Sequence, residues 1–343
     1  ISTGNWVNGK QEGTHVSTFR NGRHHANGDF SNGVKVGVHE EYHNNNKHKN
    51  TGNFINGKKD GLHTTWHDNG VNESEGKFVN NKKEGLHTET HRTGEVRSAG
   101  RFKNDMKEGY HHQNDYNGAL ISAGHYENGQ KEGEHIQKHD GDSDISNSWA
   151  GYYTRSTFSK GVENGMRNYH RVMADDPTKM DDDVMANVNV VNGKREGEFT
   201  RYAYSGSVIG TGNYVNDKKD GVHANHNLGE FHTWKDGMLH GAWKSRDAEG
   251  TYKDGNKHGL EKNYYVDGTE DVRRLEQTIE YKDGLRHGKH THYYNNGSIK
   301  KSTTYKASEK HGEEVMYERG DRDSTGKIVD GQKERVNDYK NNL

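Results

Sequence analysis

The sequence predicts an all-β chain, an elongated antiparallel ribbon or rod of about twelve β-hairpin repeats. Three observations predict it. A glycine followed two residues later by an aromatic ring recurs every 24 residues. A turn pair such as Asn-Gly stands at one fixed place in each repeat. Proline occurs once in 343 residues, and a long sheet excludes proline because it removes a ladder donor.

Residues 1–141 hold six units in strict phase. Each opens on a glycine, Gly4, Gly28, Gly52, Gly76, Gly100 and Gly124, and then carries Trp6, Phe30, Phe54, Phe78, Phe102 or Tyr126. The turn follows, as in Asn32-Gly33 and Asn56-Gly57, where Asn and Gly supply the positive φ that tight hairpins demand. A second set, Gly13, Gly37, Gly61, Gly85, Gly109 and Gly133, reads as turn glycines. Two residues after each comes a histidine: His15, His39, His63, His87, His111 and His135. A further turn carries Gly22, Asn46, Gly70, Gly94 and Gly118. The stretches between turns are about eight residues long and rich in Thr, Val, Tyr, Phe and His, which suits strands. Glycine and turn signals at this density exclude helices.

Gly52 and Phe54 lie two apart on a strand and face the same side. A glycine in a strand leaves a hole, and an aromatic ring from the neighbouring strand is expected to cover it. Two strands per unit advance the structure by roughly 10 Å per repeat. Stability is then a sum of neighbour contacts and needs no central globule.

From 142 to 187 the phase is lost, and this stretch reads as a divergent segment with an acidic loop. Trp149, Tyr152 and Tyr153 mark a decayed unit, and Asp175 to Asp183 holds the single proline and five aspartates. Residues 188–335 resume as about six irregular units, and 336–343 form a polar tail.

Composition agrees with a repeat and not with a conventional domain. Only 27% of residues are apolar, too few for a thick core at this length. Forty-nine basic and 51 acidic residues leave a net charge of −2, so self-repulsion is weak and nucleic acid is not an expected partner. Cysteine is absent, which removes disulfides and thiolate chemistry. No apolar run approaches the ~18 residues of a membrane span. The start at Ile1 reads as a processed form or a fragment.

The late units "TYKDGNKHGLEKNYYVDG" and "EYKDGLRHGKHTHYYNNGSIKKSTTY" resemble MORN repeats, above all the longer bacterial variant of antitoxin-labelled proteins. The resemblance covers most of the chain outside 142–187. It implies an antiparallel β-ribbon that serves as a scaffold, that often dimerises, and that in some members contacts phospholipid. The first six units depart from it by placing histidine where the family usually has Trp or Tyr.

The histidines are the most conspicuous candidate site. Pairs such as His39 and His43 or His63 and His67 lie about 13 Å apart on a strand, too far to share one metal ion. Stacking in place of the family's ring is the expected role, with pH-sensitive association as the alternative. The turns Lys58-Lys59-Asp60, Lys82-Lys83-Glu84 and Lys107-Glu108 read as solvated, because each acid weakens the basic field that a lipid headgroup would need. Asp181, Asp182 and Asp183 are the weak candidates for a calcium site, against a flexible linker. No cofactor is expected. Catalysis needs one asymmetric constellation, and here the distinctive residues recur six times, so the expectation is a non-enzymatic structural protein. Its expected partner is itself, as a dimer or an extracellular or cell-surface filament. The alternatives are a cytoplasmic or membrane-peripheral scaffold for anionic lipid or another protein, and an antitoxin-like neutraliser.

Overall fold

Asn56 at φ 51° and Gly57 at φ 76° close one hairpin between strands His48–Ile55 and Lys58–Trp66. The same two-residue turn recurs at Asn8-Gly9, Asn32-Gly33, Asn128-Gly129 and Asn192-Gly193, all in the left-handed region. Such turns match the right-handed twist of the strands they join. The computed structural model describes residues 1–139, 151–172, 180–265 and 273–339, apart from 322, 324, 326 and 328. Among these residues every regular element is a strand and every pairing is antiparallel, as the sequence predicts. Two compact units divide the chain, Ile1–Gly193 and Lys194–Leu343.

In the first unit strands pair in chain order from Ser2–Val7 onward, except that Tyr152–Ser159 pairs with both the short Val162–Glu163 and Gly165–Val172. The second unit is built in the same way, from Lys194–Tyr202 to Lys333–Tyr339.

The glycines expected at turns are not at turns. Gly37 (φ 68°) and Gly61 (φ 93°) sit inside the longer strand of their hairpins. The register shifts beside them, between Gly28 and Asp29 and between Gly52 and Phe54. Gly13, Gly85, Gly109 and Gly133 do the same at φ 69–72°. These are bulge glycines, which turn the strand and add local twist.

The reading of 142–187 is also corrected. Strand Tyr152–Ser159 pairs with Gln130–His139, and Gly133 stands opposite Phe158 just as Gly37 stands opposite Phe54. Phe158 is therefore the seventh ring, displaced because 32 residues separate it from Tyr126. The stretch also holds tightly buried apolar residues, with Tyr153 and Ala186 at 0% exposure and Tyr169 at 3%, and Val188 and Val190 just after it are at 0%. Trp149, Asp175 and Asp176 lie outside the described residues. The backbone of 181–183 belongs to strand Met180–Val191 and is neither linker nor loop.

Candidate functional site

His63 shows how the repeat is held. Its backbone pairs with Gly52 on one side and Gly76 on the other. Its imidazole lies across the bare Cα of Gly52, so closely that a Cβ there would stand 1.9 Å from Nδ1. The bulge breaks the ladder at Asn53, and His63 Nε2 donates to that carbonyl at 2.8 Å. This assigns the proton to Nε2, since a carbonyl only accepts. The imidazole stands nearly perpendicular to Phe54, at 5.2 Å between centroids, and to Phe78, at 5.3 Å. The ring expected to cover the glycine was the phenylalanine; the imidazole covers it instead, because it is the side chain directly opposite.

The pattern repeats without a break. Trp6, His15, Phe30, His39, Phe54, His63, Phe78, His87, Phe102, His111, Tyr126, His135 and Phe158 alternate at 5.0–5.4 Å. His15, His39, His87, His111 and His135 each give Nε2 to the equivalent carbonyl, at 2.6–2.8 Å. Edge-to-face ring pairs contribute about 0.5–1.5 kcal/mol each beyond burial.

Burial holds His39, His63, His87, His111 and His135 below the ordinary histidine range. The accepting carbonyl pulls the other way and loses, while the neighbouring lysine adds to the downward push. At neutral pH these five imidazoles are uncharged.

The Lys-Lys-acid turns, expected to be solvated, are structural. The lysine two residues before each bulge glycine lies over the next unit's ring: Lys35 over Phe54, Lys59 over Phe78, Lys83 over Phe102 and Lys107 over Tyr126, at 4.6–5.0 Å. The acid accepts a backbone N–H from the next turn, Asp60 from Asn80 at 3.3 Å, Glu84 from Asn104 at 3.1 Å and Glu108 from Asn128 at 3.1 Å. Partners 20 residues ahead in an irregular turn leave no trace in a period-two pattern.

A second histidine row ties the far turns together. His43, His67 and His91 direct Nε2 to the carbonyls of Trp66, Thr90 and Asn114 in the following hairpin. In the Lys194–Leu343 unit tyrosine does this work, Tyr265 on Tyr293 and Tyr294 on Tyr317. The ladder position there is occupied in two places by buried glutamates, Glu261 and Glu314. Each is paired with the lysine four residues earlier, Lys257 and Lys310. Burial would raise the Glu314 carboxyl, but hydrogen bonds from Lys310, Lys301 and Thr303 overcome it and hold it at about 2.

Three segments, residues 3–22, 249–260 and 280–299, match the MORN repeat. The chain carries MORN repeats. The matches fall on the first hairpin and on two late ones, and the hairpins between them share the bulge glycine. No curated protein sequence matches the chain. Among solved structures it is similar to the "TcdB2-TccC3 without hypervariable C-terminal region" crystal structure, at 9% identity, over 92% of this chain and 21% of that one. The TM-score is 0.13, so this likeness carries nothing about fold or function. The chain spans about a fifth of that protein's length.

Among the described residues no three His, Asp or Glu side chains come together as a metal site. The histidine face instead opens into a shallow groove of about 550 Å³, lined by His87, Glu89, Arg97, Gln113 and Lys131 among others.

Proposed function

We propose that this MORN-repeat chain is a non-enzymatic structural or interaction protein that associates with itself, as a dimer or as the subunit of an extracellular or cell-surface filament. The observation that carries this reading is the division of labour between its two faces. The distinctive residues of the repeat, imidazole, ring, lysine and acid, are engaged with the next hairpin. Large apolar side chains on the other face are left in water, Leu62 and Leu86 among them at 57% exposure. A row of such side chains marks an interaction surface. The lipid-scaffold alternative is weakened because Lys35, Lys59, Lys83 and Lys107 are already stacked over rings. Sedimentation velocity across a hundredfold concentration range, with negative-stain micrographs, tests the reading. A concentration-dependent dimer or visible polymer supports it; a compact monomer at every concentration removes it.

A further inference from the structure

The residue after each bulge glycine points away from the histidine face. In the Ile1–Gly193 unit the residues after Gly13, Gly37, Gly61, Gly85, Gly109 and Gly133 are Thr14, Val38, Leu62, Leu86, Tyr110 and the charged Glu134, and Val38, Leu62, Leu86 and Tyr110 are 58%, 57%, 57% and 52% exposed. Single exposed apolar residues are ordinary, but four in one row at a fixed pitch are not. Between them on the same face stand their cross-strand neighbours, Asp29 beside Thr14, Asn53 beside Val38, Lys77 beside Leu62 and Arg101 beside Leu86.

We infer that this row is the contact between two copies of the chain, packed face to face about a two-fold axis through Leu62. The inference rests on the self-association reading and narrows it to a closed dimer. A row of fixed pitch fits a second, reversed copy of itself in only a few registers, one strand apart. With the axis on Leu62, Val38 meets the second copy's Leu86, Thr14 meets its Tyr110, Asp29 meets its Arg101 and Asn53 meets its Lys77. Near the turns Ile55 meets the second copy's Val79, both exposed in the single chain. Lys58, also on the axis, stands at the turn, where its ammonium reaches water. Moving the axis to Lys77 opposes two lysines, and moving it to Leu86 sets Lys77 against Arg101. Centring it on Asn53 leaves Tyr110 without a partner, and any half-step sets apolar side chains against polar ones. Like-charge contacts of that kind cost several kcal/mol, so the Leu62 register is favoured.

Stacked twisted sheets cross at about 30°, which concentrates contact near the axis. Leu62, its counterpart and the Val38–Leu86 pairs therefore form the centre. The patch is at the small end for a specific interface, so the dimer reverses on dilution.

The chain contains no cysteine, so single-cysteine variants report the register directly. Under mild oxidation Leu62→Cys, a change at an exposed position, is expected to give a disulfide-linked dimer in high yield. Leu86→Cys alone is not, because its counterpart lies about four strands away at roughly 4.8 Å each; combining it with Val38→Cys restores the crosslink. Leu62→Lys is expected to weaken association at least tenfold while leaving the circular dichroism spectrum unchanged. Asp29→Arg weakens it, and Arg101→Asp in the same chain restores it. A wild-type chain that associates, with Leu62→Cys crosslinking no better than Leu86→Cys, overturns this interface and leaves self-association standing. A wild-type chain that never associates overturns both.

Discussion

The imidazole of His87 lies over Gly76 so closely that a Cβ on the glycine would stand 2.0 Å from Nδ1. The glycine and the histidine are thus one element of structure, divided between two strands. Replacing Gly76 with alanine leaves backbone conformation unstrained but forces the ring out of the ladder. The expected loss is about 1–3 kcal/mol, read as a lower midpoint in urea denaturation. His87→Ala in the same chain should recover part of it; a Gly76→Ala chain as stable as wild type would refute the contact.

The folded chain holds five of the ladder histidines below their ordinary range, while in the unfolded chain they titrate near 6.5. Between those values the unfolded state binds more protons, so stability rises with pH there. It is constant above about pH 7 and falls as pH drops through about 6.5 toward the lowered folded values. Denaturation midpoints at pH 7.5 and 5.0 check the sign, and an equal or higher midpoint at pH 5.0 contradicts it. The decline begins above the carboxylate range, so it is not the acid denaturation of Asp and Glu.

Glu84 accepts the N–H of Asn104, in the turn of the following hairpin. Glu84→Ala should cost about 1 kcal/mol and speed amide exchange at Asn104 more than at Asn80, whose acceptor is Asp60. Exchange mass spectrometry reads both. Uniform acceleration along the chain would mean that the acid has no local role.

Glu314 contributes differently. Its carboxyl is held at about 2 by Lys310, Lys301 and Thr303, so its stabilisation is present above the unfolded value near 4.3 and is lost as pH falls toward about 2. Glu314→Gln should flatten that part of the stability profile of the wild-type chain. If the acid limb keeps its slope, the pairing is not made in solution.

Much of this architecture was legible because its signals are local. Asn56-Gly57 asks for positive φ by its own chemistry, and Phe54, Phe78 and Phe102 return at the hairpin period. What was not legible depends on partners across strands. Alternation places Gly52, Phe54 and His63 on one face without saying that the imidazole is the ring over the glycine. Gly61 and its equivalents looked like turn residues because a positive φ serves a bulge and a turn equally. The segment holding Phe158 and Gly165 looked divergent because added length between rings hides a fixed period, although its strand pairs follow the same scheme. Asp181 to Asp183 read as loop because their charge outweighed the Val-rich text that follows, and Met180–Val191 is a strand.

The central claim is that uncharged imidazoles, each bonded through Nε2 and wedged between two rings, join neighbouring hairpins. Long-range nitrogen–proton NMR correlation of the histidine rings between pH 5 and 8 tests it most directly. The expected result is a protonated Nε2 and a bare Nδ1 for His39, His63, His87, His111 and His135 at pH 7, with titration displaced below 6.5. Rings that titrate at about 6.5 as mixed tautomers, like those of an unfolded peptide, would contradict it.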